Sequence, residues 1–247
     1  FNERTNLLER QEFNYPLQDV KEPNLYRTLY NYEEVPKIAF NHRIVPIDMP
    51  DEIWITDTTF RDGQQSREPY TVEQISRIFD MLHRLSGPKG IIRQSEFFIY
   101  TKKDQEAVYK CLEKGYKFPE VTTWIRASKK DFELAKSIGI QETGILVSCS
   151  DYHIFYKMNM TRSEIIKHYI DVISQCIETG IRPRCHFEDI TRADFYGFVV
   201  PFASELMKLS KDTGVPIKIR ACDTMGYGIT FPGTVLPRSV QGIIYGL

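Results

Sequence analysis

The chain has 247 residues, 42% hydrophobic and 26% charged, with 32 Lys+Arg against 33 Asp+Glu, five His and five Cys. This is the composition of an ordinary globular protein. A net charge of −1 supplies no general field for phosphate backbones or anionic lipid, which argues against nucleic acid or a membrane surface as a bulk partner.

Residues 1–50 are polar and aromatic, and Pro16, Pro23, Pro36, Pro46 and Pro50 are spaced so that no long helix runs through them. The segment reads as a leader arm packed on something else. Its start has neither an initiator Met nor the basic-then-apolar order of a secretory signal, so it reads as processed or trimmed. From residue 51 to 247 short β-branched runs alternate with amphipathic stretches, the sign of parallel βαβ units in one barrel-type domain. Strands are predicted at 53–60, 91–99, 121–126, 144–149, 182–187 and 215–222. Between the first two, Val72, Ile75, Ile78, Phe79, Leu82 and Leu85 recur at helical spacing behind a Thr71-x-x-Gln74 capping box. Helices follow at 102–115 and 129–138. The box recurs as Thr161-x-x-Glu164 ahead of Ile165, Ile166, Tyr169, Val172, Ile173 and Ile177. A helix at 195–211 tolerates Pro201 near its first turns, and a last one begins near Leu236. The apolar run around Phe195 to Phe202 is broken by Gly197 and Pro201, far short of the ~20 residues of a membrane span.

Strand starts recur about every 32 residues, the repeat of an eight-unit (β/α) TIM barrel of ~250 residues. Eight such units would end near residue 310, roughly, so about six are expected here, as an ordered or expressed portion of a longer enzyme. An open doubly wound sheet would want G-x-G-x-x-G after the first strand; Thr58-Thr-Phe-Arg-Asp-Gly63 stands there instead. Cysteines 111, 149, 176, 185 and 222 are odd in number, without a Cys-x-x-Cys, which fits a reducing cytoplasm.

Polar residues gather where the strands end, the face that carries the active site of a (β/α) barrel. Asp57, Arg61, Asp62, Gln64 and Gln65 follow the first strand, Glu188, Asp189, Thr191 and Arg192 the fifth, and Asp223 and Thr224 the sixth. An Asp beside an Arg suits an α-keto acid: the carboxylate can hold a hard divalent cation while the guanidinium grips a carboxylate or polarises a carbonyl. On spacing alone the pair Arg61 and Asp62 equally reads as a surface ion pair, Glu188 and Asp189 as a solvated loop, and His153 as an ordinary loop histidine. Glu96 is harder to dismiss, because a carboxylate inside a strand must find a partner, and an Arg at the same barrel end is the expected one.

The order of these strings is more specific than any one of them. Asp57-Thr-Thr-Phe-Arg-Asp-Gly-Gln-Gln65 resembles the first-strand signature of the acyl-CoA-dependent Claisen condensation enzymes, the 2-isopropylmalate, homocitrate and citramalate synthases, related to the hydroxymethylglutaryl-CoA lyases. Ser150-Asp-Tyr-His153 with Lys157 and Thr161-Arg162, Glu188-Asp-Ile-Thr-Arg-Ala-Asp194, Asp223-Thr-Met-Gly226 and Glu96 match further segments in the same order, so the resemblance covers about 53–247. It implies a metal ligand at Asp62 and a group at Arg61 that binds the keto acid and stabilises oxyanion charge. Glu96 is then the residue that holds Arg61. Gln65 and Thr224 are implied as contacts to the substrate carboxylate or carbonyl, Glu188 in proton transfer during enolisation of the acetyl group, and His153 as a pocket wall. It also implies acetyl-CoA as co-substrate, a divalent cation (Mn²⁺ first, with Co²⁺, Mg²⁺ or Zn²⁺ also fitting), a homodimer or larger homo-oligomer and a cytoplasmic location.

The family's His-x-His on the seventh strand has no counterpart: His42, His83, His153, His168 and His186 lie elsewhere, and the chain alone is expected to be inactive. Gln64 in place of a family Glu, Phe97-Phe98 after Glu96 and His186-Phe187 in place of Ser-Pro are most similar to the Re-citrate synthase branch, which joins acetyl-CoA to oxaloacetate. A keto acid with two carboxylates needs a second cation, with Arg126 as first candidate and Arg220 as reserve. The alternatives are another synthase of the family, an acyl-CoA lyase, and a non-catalytic barrel partner subunit.

Overall fold

The computed structural model describes residues 4, 16–23, 25, 27, 37–41, 43–45, 50–126 and 128–247. The chain divides into two units, Phe1–Val35 and Pro36–Leu247. Most of the expected leader arm lies outside the described residues. Its last part does not: β1 (Ile38–Phe40) and β2 (Arg43–Val45) form an antiparallel pair inside the second unit. Ala39 N–H donates to the Pro232 carbonyl over 3.1 Å, and Phe40 meets the Tyr245 ring edge-on. The compact unit thus starts before residue 51.

Six parallel strands follow in chain order: β3 (Ile55–Asp57), β4 (Ile92–Phe97), β5 (Glu120–Ile125), β6 (Glu142–Ser148), β7 (Arg182–Glu188) and β8 (Lys218–Ala221), each paired with the one before it. Helices α1 (Val72–Ser86), α2 (Lys102–Leu112), α3 (Lys129–Ser137), α4 (Arg162–Glu178) and α5 (Val200–Thr213) fill the five intervals, and α6 (Val240–Gly246) follows β8. Six of the expected barrel units are therefore present as a partial barrel. Laid flat, the edge strands β3 and β8 would stand about 24 Å apart at the usual strand spacing. Yet Arg220 of β8 donates to Thr56 Oγ1 of β3 over 2.9 Å, so the sheet is curled into most of a cylinder.

The helices begin where local chemistry says they should. Thr71 and Thr161 each accept from the backbone of the third helical residue, while Gln74 and Glu164 reach back to the cap. Thr101 and Asp104 repeat the device on α2. Pro201 sits in the first turn of α5, where its missing N–H costs nothing, behind a wide turn over 195–199. Helix α6 starts at 240 rather than 236 because Ser239 caps it through the Gly242 N–H. Between sheet and helices the core is apolar and aromatic, with Phe60 stacked on Phe97 and Phe187 on Phe202. Tyr169 of α4 reaches through that core to accept the Ser148 N–H over 2.8 Å, fixing the end of β6.

No helix among the described residues is long and apolar enough to cross a membrane. All five cysteines are free thiols, four of them buried.

Candidate active site

Polar residues recur with period two along the strands: Gln94 and Glu96 on β4, Arg182, Arg184, His186 and Glu188 on β7, Lys218 and Arg220 on β8. Alternate residues of a strand share a face, and these side chains meet. At the N-terminal ends of the strands Arg182 pairs with Glu120 over 2.6 Å, and Lys218 with Glu142 over 2.6 Å. One level up Arg184, 2% exposed, donates to Glu142 Oε1 over 2.9 Å, to Gln94 Oε1 over 2.6 Å and to Glu96 Oε1 over 2.5 Å. Burial opposes ionisation of Glu142, but the donors Lys218 and Gln94 and the charges of Arg184 and Lys218 outweigh it and lower its pKa. Burial also draws the Arg184 pKa below the ordinary value.

At the C-terminal end this network holds Arg61. Its Nε donates to Glu96 Oε2 over 2.7 Å, NH1 contacts Asp62 over 2.7 Å, and the guanidinium lies 5.0 Å from the centre of the Trp124 ring. Arg220 donates to Glu96 Oε1 over 3.0 Å. His186 accepts at Nε2 from Arg184 Nε over 3.2 Å. Burial, then the charges of Arg184, Arg220 and Arg61, push its pKa down to about 2, so the ring is neutral. Among the described residues the ion-paired cluster holds the cations Arg61, Arg182, Arg184, Lys218 and Arg220 against the carboxylates Asp62, Glu96, Glu120 and Glu142, one cation in excess.

A second group stands at the ends of β6 and β7. Glu188 Oε2 accepts from Ser148 Oγ over 2.6 Å and from Lys157 over 3.5 Å, and lies 3.0 Å from His153 Nδ1. Asp189 is held in the left-handed region at φ 62° by Ser150 and two nitrogens of Arg192, and its backbone N–H donates to Thr224 Oγ1 over 2.8 Å. Such a conformation in a non-glycine residue costs energy and needs over-determined surroundings. Against the desolvation that opposes it, the bonds from Arg192 and Ser150 lower the Asp189 pKa. Asp223 accepts from Thr191 Oγ1 and from the N–H groups of Tyr227 and Gly228, tying the loop after β8 to the same end.

The structure therefore brings Arg61, Asp62 and Glu96 together, and His153 with Glu188. Gln65 is exposed beside Phe98 and Pro69, and Gln64 is a turn residue, binding the Phe60 carbonyl and the Tyr70 N–H. Arg126, the first candidate for a second cation, stands outside the cluster: it pairs with Asp131 of α3 over 3.1 Å and lies over the Tyr100 ring. Arg220, the reserve, is in the cluster. Sequence reasoning passed over Glu142, Gln94 and Arg184; period-two spacing was the signal for Gln94 and Arg184, while Glu142 stands alone at the start of β6. Asp62 is a single half-exposed carboxylate paired to Arg61, and among the described residues no group of three His, Cys, Asp or Glu could hold a metal ion. These residues do not by themselves fit a divalent cation.

A partial (β/α) barrel with a strand-end Arg–Glu pair defines a class, and comparison gives it a family. Residues 52–235 match the family described as HMGL-like, and the chain belongs to it. Among curated proteins the chain is 60% identical to the citrate (Re)-synthase of Clostridium kluyveri, over 97% of this chain and 53% of that one. It is 56% identical to the citrate (Re)-synthase of Syntrophus aciditrophicus, over 93% and 37% respectively. It is 37% identical to a 2-phosphinomethylmalate synthase of Streptomyces hygroscopicus, over 91% and 52%. The chain thus spans about half or less of the length of these relatives. Among solved structures the hydroxymethylglutaryl-CoA lyase of Pseudomonas aeruginosa shares the fold, with a TM-score of 0.51 at 18% identity over 74% of this chain and 61% of that one.

Proposed function

We propose that this chain is part of an enzyme that condenses acetyl-CoA with oxaloacetate and water to give citrate and CoA. The observation that carries the reading is the 60% and 56% identity, over nearly the whole chain, to proteins named citrate (Re)-synthase. The chemistry of the strand-end face supports it. The methyl proton of a thioester is weakly acidic, so its removal needs a placed base and stabilisation of the charge that develops. In this reading Glu188 handles that proton: Oε2 is occupied by Ser148, His153 and Lys157, and among the described residues nothing hydrogen-bonds Oε1. His153 walls the pocket beside it. The enolate carbon then attacks the ketone carbon, and Arg61 meets the charge forming on the ketone oxygen. Glu96 positions Arg61 through Nε, and Gln65 and Thr224 contact the carboxylate or carbonyl of the keto acid. Water finally cleaves the thioester and CoA leaves.

A divalent cation, Mn²⁺ in first place, belongs to this reading only with donors beyond Asp62. A cytoplasmic homo-oligomer is likewise part of it; the free thiols agree with a reducing compartment.

The test is CoA release from acetyl-CoA by the enzyme containing this chain, with oxaloacetate, 2-oxoglutarate, 2-oxoisovalerate or pyruvate and an Arg61→Ala control. Release with oxaloacetate, lost in the control, is the expected result. Release only with another keto acid moves the activity within the family, and silence with all four overturns the synthase reading.

A further inference from the structure

We propose that Arg220 selects a keto acid bearing a second carboxylate, by binding that carboxylate beside the group held at Arg61. The inference rests on the proposed function and deepens it by naming the residue that sets the substrate class.

Arg61 and Arg220 grip opposite oxygens of one carboxylate, Glu96 Oε2 at 2.7 Å and Oε1 at 3.0 Å. The third cation on Glu96, Arg184, is closed in at 2% side-chain exposure, whereas Arg61 and Arg220 keep 12% and 31%. Arg61 and Arg220 are thus the two guanidiniums on Glu96 that keep exposed surface, and Arg184 is closed off.

Charge accounting singles out Arg220. Arg61 has Asp62, Arg182 has Glu120, Lys218 has Glu142 and Arg184 has Glu96, each at 2.7 Å or less. Arg220 has only a share in Glu96, which two other guanidiniums hold more closely, and its other contact is the neutral Thr56 hydroxyl. Among the described residues it is the cation of this cluster without a carboxylate of its own. A planar guanidinium with a neutral partner to give up is well matched to a carboxylate through two parallel N–H bonds. A monocarboxylic keto acid leaves that cation without its anion, and a site built around a charged group discriminates strongly against the analogue that lacks it. A keto diacid engages both guanidiniums.

The experiment measures steady-state CoA release by the enzyme containing this chain as wild type, R220Q and R220K, with oxaloacetate or pyruvate as acceptor. R220Q is expected to raise KM for oxaloacetate on the order of 100-fold, the effect of removing one partner of a charge pair, while KM for acetyl-CoA stays within about threefold. The preference for oxaloacetate over pyruvate should shrink by a similar factor, and R220K should recover part of it. A fall in kcat of equal size with both keto acids at unchanged KM is what loss of support for Glu96 would produce, and it overturns the inference alone. Should R220Q fail to fold, R220K decides by the same ratio. Wild-type enzyme that uses pyruvate and not oxaloacetate overturns the proposed function and the inference together.

Discussion

Acidification from pH 8 to pH 5 should remove about 2 kcal/mol of folding stability through His186 alone. The ring is 4% exposed on β7, with Arg184 donating to Nε2, Glu96 Oε1 at 3.8 Å and the Trp124 ring edge-on. Burial and then the surrounding guanidiniums push its pKa to about 2, while in the unfolded chain the ring titrates at about 6.5. Because the folded value is the lower one, the unfolded chain binds one proton more between these two limits. The contribution is fully present above about pH 6.5 and is lost as the pH falls, at about 1.4 kcal/mol per unit once well below 6.5. Carboxylates with lowered folded values, Glu142 and Asp189 among them, give up their stabilisation as the pH falls from the ordinary carboxylate range downward, mostly below pH 5. The difference between wild type and a variant lacking the ring, over pH 8 to 5, therefore reports this histidine. Urea unfolding at pH 8, 6.5 and 5 should show a steep decline for wild type and a flatter one for His186→Gln, whose side chain offers Arg184 an acceptor without titrating. Equal declines in the two proteins would refute the assignment of a neutral, buried ring.

Other perturbations follow from the same packing. Arg184→Met withdraws a partner from two buried carboxylates; Glu96 keeps Arg61 and Arg220, and Glu142 keeps Lys218 and Gln94. The cost should therefore sit at the low end of the range for a broken buried pair, about 3 kcal/mol by urea unfolding. Gly144→Ala places a methyl 2.5 Å from Trp124 Cδ1 and 2.9 Å from His186 Nε2, and should destabilise by roughly 1–3 kcal/mol with a change in tryptophan fluorescence. Thr161→Ala removes the cap of α4 and should lower stability by about 1 kcal/mol in the same assay.

The units of the barrel were legible because each left a periodic signal: β-branched runs for the strands and capping boxes at Thr71 and Thr161 for two of the helices. Margins were less so. The first strand, expected at 53–60, runs over Ile55–Asp57: Trp54 bonds Glu52 and lies against Arg93, and beyond Asp57 the Thr58 carbonyl accepts the N–H groups of Arg61 and Gly63 in a turn. The sheet takes in Glu142, which reads as a loop residue in sequence, because Lys218 and Arg184 meet its charge inside the barrel. Glu96 could be placed from the cost of burying an unpaired carboxylate, and Arg61 is indeed its partner. The rest of the network was hidden by an expectation that is sound elsewhere, that strands of parallel sheets are apolar on both faces; Arg182, Arg184 and His186 break it on one face only. Arg126 shows the opposite limit. A strand-end cation is visible in sequence, but not that Asp131, five residues on, captures it.

A charged barrel interior is an expensive way to fill space, since buried ion pairs are often no better than well-packed apolar side chains for stability. What it supplies is orientation. From the first residue of β8 a chain of contacts runs Lys218 to Glu142, Glu142 to Arg184, Arg184 to Glu96 and Glu96 to Arg61. Each link is a charge-assisted hydrogen bond, stronger and more directional than a neutral one. Arg61 also has its guanidinium against the Trp124 ring, which restricts it on another side. A cation fixed in advance stabilises developing negative charge without reorganising at the moment of reaction. At the base of the strands Arg182 and Lys218 each have a carboxylate, and among the described residues the cation of this cluster without one of its own is Arg220, on Glu96 beside Arg61 and Arg184.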